Sequence, residues 1–143
     1  MFIRMLLPVA TLALAALLAQ APGARADLMS ACAPEIGRYC SSVSEGRGRV
    51  SACLASYMGQ LSRACRPEVQ AVGNSRLTPG WVRPVFDPAF RAPLPQTCSA
   101  PAAEFCPGMK AGEGRVLACL YAHSDKVPKT CSSAAQTALK QAN

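Results

Sequence analysis

Eight cysteines fall in two quartets, Cys32, Cys40, Cys53, Cys65 and Cys98, Cys106, Cys119, Cys131, with identical internal steps of 8, 13 and 12 residues. Each member of the first quartet lies 66 residues before its counterpart in the second. The offset holds outside the cysteines. Gly48, Arg49 and Val50 fall on Gly114, Arg115 and Val116, Leu54 on Leu120, Tyr39 on Phe105, and Arg63 on Lys129. The chain is therefore an internal duplication, and whatever one copy folds into the other must fold into as well.

Processing bounds what the copies have to work with. Arg4 supplies a positive start, Leu6 to Ala19 is an apolar run broken only by Pro8 and Thr11, and Ala24-Arg25-Ala26 is a small-x-small site ahead of Asp27. Residues 1–26 read as a secretory signal peptide. The rival reading is an uncleaved membrane anchor, for which the run is short against a span of roughly 20 residues. The mature chain, 27–143, keeps all eight cysteines, and 13 basic residues face 8 acidic ones. So many cysteines in so short an exported chain point to disulfides and an oxidising compartment. With few large aliphatic residues per copy, crosslinks stand in for a missing core.

Helical spacing runs through both copies. Pro34 suits a first helical turn with Ser30 or a neighbour as cap, and Ile36, Tyr39 and Cys40 share a face. After a polar turn over 41–48, a longer helix runs from Arg47 or Arg49 to Met58, with Val50, Cys53, Leu54, Tyr57 and Leu61 on one stripe. Ser62 can cap a last turn carrying Cys65, and residues 66–72 extend it. In the second copy Ser99 and Pro101 precede a helix with Phe105 and Cys106, and Gly112 to Gly114 mark the turn. Val116, Cys119, Leu120, His123 and Val127 form the apolar side. Pro128 forces a break near Ser124 and a restart, and 132–141 is a terminal helix.

The predicted fold is all-α: two disulfide-stapled antiparallel helical hairpins, tandem repeats over 27–72 and 98–143, joined by a connector over 73–97. Pro79, Pro84, Pro88, Pro93 and Pro95 make that connector extended or turn-rich. Trp81, Val82, Val85, Phe86 and Phe90 make it too apolar for a plain spacer. These side chains either pack across both repeats or form a partner contact patch, with Trp81, Phe86 and Phe90 as contact residues.

Four cysteines in one unit allow three pairings. Cys32 and Cys40 in a single helix would stand about 12 Å apart, beyond the roughly 7 Å that a disulfide spans. In an antiparallel hairpin the inner pair meets near the turn and the outer pair closes the open end. Cys40–Cys53 within Cys32–Cys65, and Cys106–Cys119 within Cys98–Cys131, are the expected bridges.

The combination Cys-x7-Cys, Gly48-Arg49-Val50, Cys53-Leu54 and Leu61-Ser62, repeated as Gly114-Arg115-Val116 and Cys119-Leu120, resembles a known repeat. It is that of the cysteine-rich repeat family of the Golgi sialoglycoprotein, also described as a cysteine-rich fibroblast growth factor receptor. Val127-Pro128 matches less closely. The resemblance covers about 68 of 143 residues and implies the short bacterial secreted type. That type lacks the long array and membrane tail, so growth-factor or selectin binding does not carry over.

Catalytic chemistry has little to stand on. His123 is the sole histidine and occupies the place of Tyr57 on the stripe; it reads as a packing or surface residue. A Cys119 committed to a bridge is no nucleophile, and neither a Cys-x-x-Cys pair nor a Gly-x-Ser-x-Gly elbow occurs. Glu35, Glu45, Glu68, Glu104, Glu113 and Asp125 are scattered and read as solvated surface. Basic residues are dispersed, which argues against nucleic acid; Arg49 and Arg115 either cap helix carbonyls or stay solvated. The expectation is an exported non-enzymatic accessory of the bacterial envelope, structural or protein-binding, with another envelope or secreted protein as partner. No catalytic residue, metal, cofactor or later transmembrane segment is expected. The alternative is a periplasmic protein handling copper, zinc or thiol redox through reduced cysteines with Met29, Met58, Met109 and His123.

Overall fold

The computed structural model describes residues 24–142 apart from 77, 88 and 110–113. The apolar leader over 1–23 and the Gly112-Glu113 part of the second turn lie outside the described residues. Within them the fold is all-α, with no strand. The first repeat comprises α1 (Ala24–Ala31), α2 (Ala33–Tyr39), α3 (Arg49–Ser56) and α4 (Cys65–Gly73); the second comprises α5 (Ser99–Phe105), α6 (Gly114–Ala122) and α7 (Lys129–Gln141).

Local sequence explains most boundaries. Pro34 stands in the first turn of α2, where its missing N–H is not needed. Ser30 does not cap that helix, because it lies inside α1 and the cap position is Cys32. The long helix of the first repeat stops at Ser56, and a 3-10 turn over Met58–Gln60 follows in place of a last α-turn. Ser62 accepts a 3.3 Å bond from the Cys65 N–H and starts α4. In the second repeat Pro128 precedes Lys129 in extended conformation, and α7 then runs without a break past Cys131.

Four disulfides staple the hairpins: Cys32–Cys65 encloses Cys40–Cys53, and Cys98–Cys131 encloses Cys106–Cys119. The outer four half-cystines are fully buried, the centre of each unit. The repeats then pack on each other through α3 and α6. The faces there are lined by small side chains, Ala52 and Ala55 on one helix and Ala118 and Ala122 on the other, all buried, so the backbones can approach closely.

The proline-rich connector is more ordered than extended chain. A 3-10 helix over Gly80–Phe86 holds Pro84 in its interior and rests against α3, α4, α6 and α7. Part of its apolar content packs across both repeats. Val82, Val85 and Phe86 are buried and join the core of both units.

Candidate functional site

The chemistry-bearing residues are distributed as follows. All eight cysteines are in disulfides and none is free, so no described cysteine offers a thiolate for metal or nucleophilic work. Among the described residues no group of three or more His, Cys, Asp or Glu side chains is placed to hold a metal ion. Met29 is exposed, whereas Met58 is buried.

His123 is 8% exposed and closes α6, its ring tilted against Phe105 at 5.5 Å between centroids. In the first repeat the same two positions are Tyr39 and Tyr57, stacked at 4.6 Å. Each repeat thus sets an aromatic pair beside its inner disulfide. Burial pushes the His123 pKa down, the Lys126 charge adds to that and Asp125 opposes it. Its Nδ1 is buried without a hydrogen-bond partner among the described residues. The imidazole packs on Phe105, and burial favours its neutral form.

Two acidic residues depart from the expectation of solvated surface. Glu35 is 8% exposed, and its carboxylate accepts a 3.0 Å bond from the Ser62 N–H. Hydrogen bonds from Ser62, through the hydroxyl first and the main chain second, hold that carboxyl below the usual carboxylate range. Asp125 is exposed but accepts a 2.6 Å bond from the Ser44 hydroxyl, which likewise lowers its pKa. That bond crosses between repeats. Beside it the Lys126 ammonium donates to the Ser42 carbonyl at 2.7 Å and the Tyr121 hydroxyl to the Arg47 carbonyl at 2.6 Å. The turn of the first repeat is therefore laced to the turn that follows α6. Arg49 secures the same first-repeat turn from within, donating to the carbonyls of Ser44 and Glu45. It bonds carbonyls of its own turn, not those of a neighbouring helix.

The connector aromatics divide. Phe86 is buried over Gly73, so closely that a β-carbon there would lie 2.5 Å from the phenylalanine Cγ. Phe86 thus serves the interior. Phe90 sits in the same way over Gly114, with 2.3 Å to its Cδ1, and the Gly114 N–H donates to the Phe90 carbonyl at 3.2 Å. Trp81 is half-buried, edge-on to Tyr121 at 5.3 Å. Of the three, Trp81 and Phe90 are half-buried and Phe86 is buried. Nothing in the linear pattern announces the two phenylalanine seats, though a glycine opening a helix, as Gly114 does, is the one available signal.

With this geometry in view, the similarities to known proteins fall into place. The family model described as a cysteine rich repeat matches residues 13–62. Golgi apparatus protein 1 of Mus musculus is 30% identical over 94 residues, 66% of this chain. The proteins of the same name from Rattus norvegicus and Cricetulus griseus show the same identity and coverage. Over residues 13–62 the chain carries a repeat of that cysteine-rich family. It spans only 7% of the length of those relatives. No solved structure matches it. The match takes in Cys32, Cys40 and Cys53, three of the four cysteines that form the nested bridges of the first hairpin. The family match covers the first of the two copies as far as Ser62, and the second follows from the duplication.

Proposed function

We propose that this chain is an exported, non-enzymatic member of the cysteine-rich repeat family that works as a structural or protein-binding accessory of a bacterial envelope. The observation that carries the reading is the commitment of every cysteine to a disulfide, a state that persists in the periplasm or outside the cell and is rare in the cytosol. The signal-like leader agrees with it. Cleavage after Ala26 would leave α1 beginning at Asp27, and its Leu28, which is buried with the first repeat, would stay in place. No helix among the described residues is long and apolar enough to cross a membrane. Protein-binding in this reading falls to Trp81 and the surfaces around it, since Phe86 is committed to the core.

The test is a thiol and metal count on protein recovered from its exported compartment. Zero free thiols before reductant, eight after it, no bound copper or zinc, and an amino terminus at Asp27 are the expected results. Free thiols together with stoichiometric metal would overturn the reading in favour of soft-metal or thiol-redox handling.

A further inference from the structure

We infer that the cleft between the connector and the second repeat is a binding site for a small aromatic carboxylate. The cleft has a volume of about 630 Å³ and is lined by Trp81, Tyr121, Arg47, Arg49 and Gln136, with Leu117 and Leu120 behind them. Clefts where several elements meet, mainly apolar with a few convergent polar groups, are the usual sites for small ligands. This one draws on four parts of the chain: the first-repeat turn, the connector, α6 and α7.

A second observation bears on the same place. Arg47 is the one described non-glycine residue with positive φ, at 51°. The left-handed region disfavours a residue such as arginine, and a strained residue persists only where its surroundings hold it. Here the holder is the Tyr121 hydroxyl, which donates to the Arg47 carbonyl across the repeat boundary. Burial raises the Tyr121 pKa, so the phenol keeps the proton it donates. The strained arginine is thereby fixed at the rim of a cleft whose own wall supplies the clamp.

The composition of the walls selects the ligand. An aromatic ring can pack against the half-buried Trp81 and Tyr121, where ring contacts add to apolar burial. Arg47, exposed at the rim, can meet a carboxylate with two parallel N–H donors. Asp125, also on the rim, is occupied by the Ser44 hydroxyl, and its charge disfavours a second anionic group on the ligand. This selects a monocarboxylate. The inference concerns a small ligand and stands apart from the accessory role proposed above, whether or not a protein partner exists.

Trp81 is the only tryptophan, so its emission reports on the cleft directly. The full chain with disulfides formed would be titrated with phenylacetate, with acetate and phenylethanol as partial probes. Phenylacetate should change the emission saturably with a Kd near the millimolar range, as expected of so small a ligand. Acetate and phenylethanol should each bind about tenfold more weakly or worse. The decisive variant is Arg47→Gly, because glycine adopts positive φ without strain and the fold is kept. It should weaken phenylacetate about tenfold while leaving phenylethanol unchanged and the melting temperature undiminished. A lack of saturable change with phenylacetate, equal binding of phenylethanol, or full affinity in the glycine variant would each overturn the proposal.

Discussion

The two repeats share a frame and differ in how each position of it is used. Gly48 and Gly114 occupy the same place in the Gly-Arg-Val signature. Gly48 has φ of 72° and turns the chain into α3, with nothing near the place of its missing side chain. Gly114 has no positive φ; it is small because Phe90 lies against it. At another equivalent pair, Glu35 is bound to the Ser62 N–H in the first repeat. In the second repeat these positions are Pro101 and Pro128. Proline has no N–H to offer a carboxylate, and Pro101 is buried in α5. A polar tie in one copy has been exchanged as a unit for a pair of rings in the other. Duplication copies positions, and the surroundings then decide what each position is for.

The disulfides should break the comparison hardest. Cys32 and Cys65 are separated by 33 residues, as are Cys98 and Cys131, so chain entropy alone predicts the same loss from either outer bridge. Serine replacement of both partners should cost about 2–5 kcal/mol in each case, read from denaturant midpoints. An inequality beyond about 1 kcal/mol would show that packing around the bridge, which differs because an α-helix lies against the last helix of the first repeat and a short 3-10 turn over Gln96–Cys98 against that of the second, outweighs loop closure.

The glycines come next. Gly114→Ala should destabilise by about 1–3 kcal/mol through overpacking, and the added substitution Phe90→Ala should recover part of the loss. Gly48→Ala should cost about 1 kcal/mol from backbone conformation alone, with no recovery from any neighbour. Equal responses of the two to Phe90→Ala would erase the distinction drawn here.

Acid should separate the repeats in pH. His123 has a lowered pKa in the fold, so the unfolded chain takes up the extra proton once pH falls below about 6.5. Stability should decline from that point until the folded pKa is passed, and His123→Tyr, which copies the first repeat, should abolish the decline. Glu35 also has a lowered folded pKa, but its stabilisation is present above the unfolded value near 4.3 and is lost as pH falls through the folded one. Glu35→Gln should remove that second, more acidic step. Melting temperatures across pH would resolve the two; a single step insensitive to both substitutions would contradict the assignment. The smallest effect expected is from Tyr121→Phe, about 0.5–1.5 kcal/mol for one partly exposed hydrogen bond between repeats.

The helices and the inward face of each hairpin were legible because they are periodic: Val50, Cys53 and Leu54 announce α3 by spacing alone, and Pro128 announces the break before α7. Ordering of the connector was legible only as a pair of options. Its apolar content implied packing, but proline count says nothing of a 3-10 turn, which is tighter than an α-helix and here accommodates Pro84. The burial of Glu35 was hidden because its partner is a main-chain N–H 27 residues away, and a main-chain donor has no letter in the sequence. The left-handed Arg47 was hidden for a related reason: a hydroxyl from the other repeat holds it. Local pattern records what a residue prefers, not what a distant one obliges it to do.

The phenylalanine over Gly73 has one more consequence. The residue 66 positions later is Leu139, buried at the same stage of the second repeat. Where the first hairpin presents an open socket, the second carries its own plug. The strap that follows α4 therefore meets the two last helices differently, seating a ring over Gly73 in α4 and resting against an α7 whose matching position is already filled by Leu139.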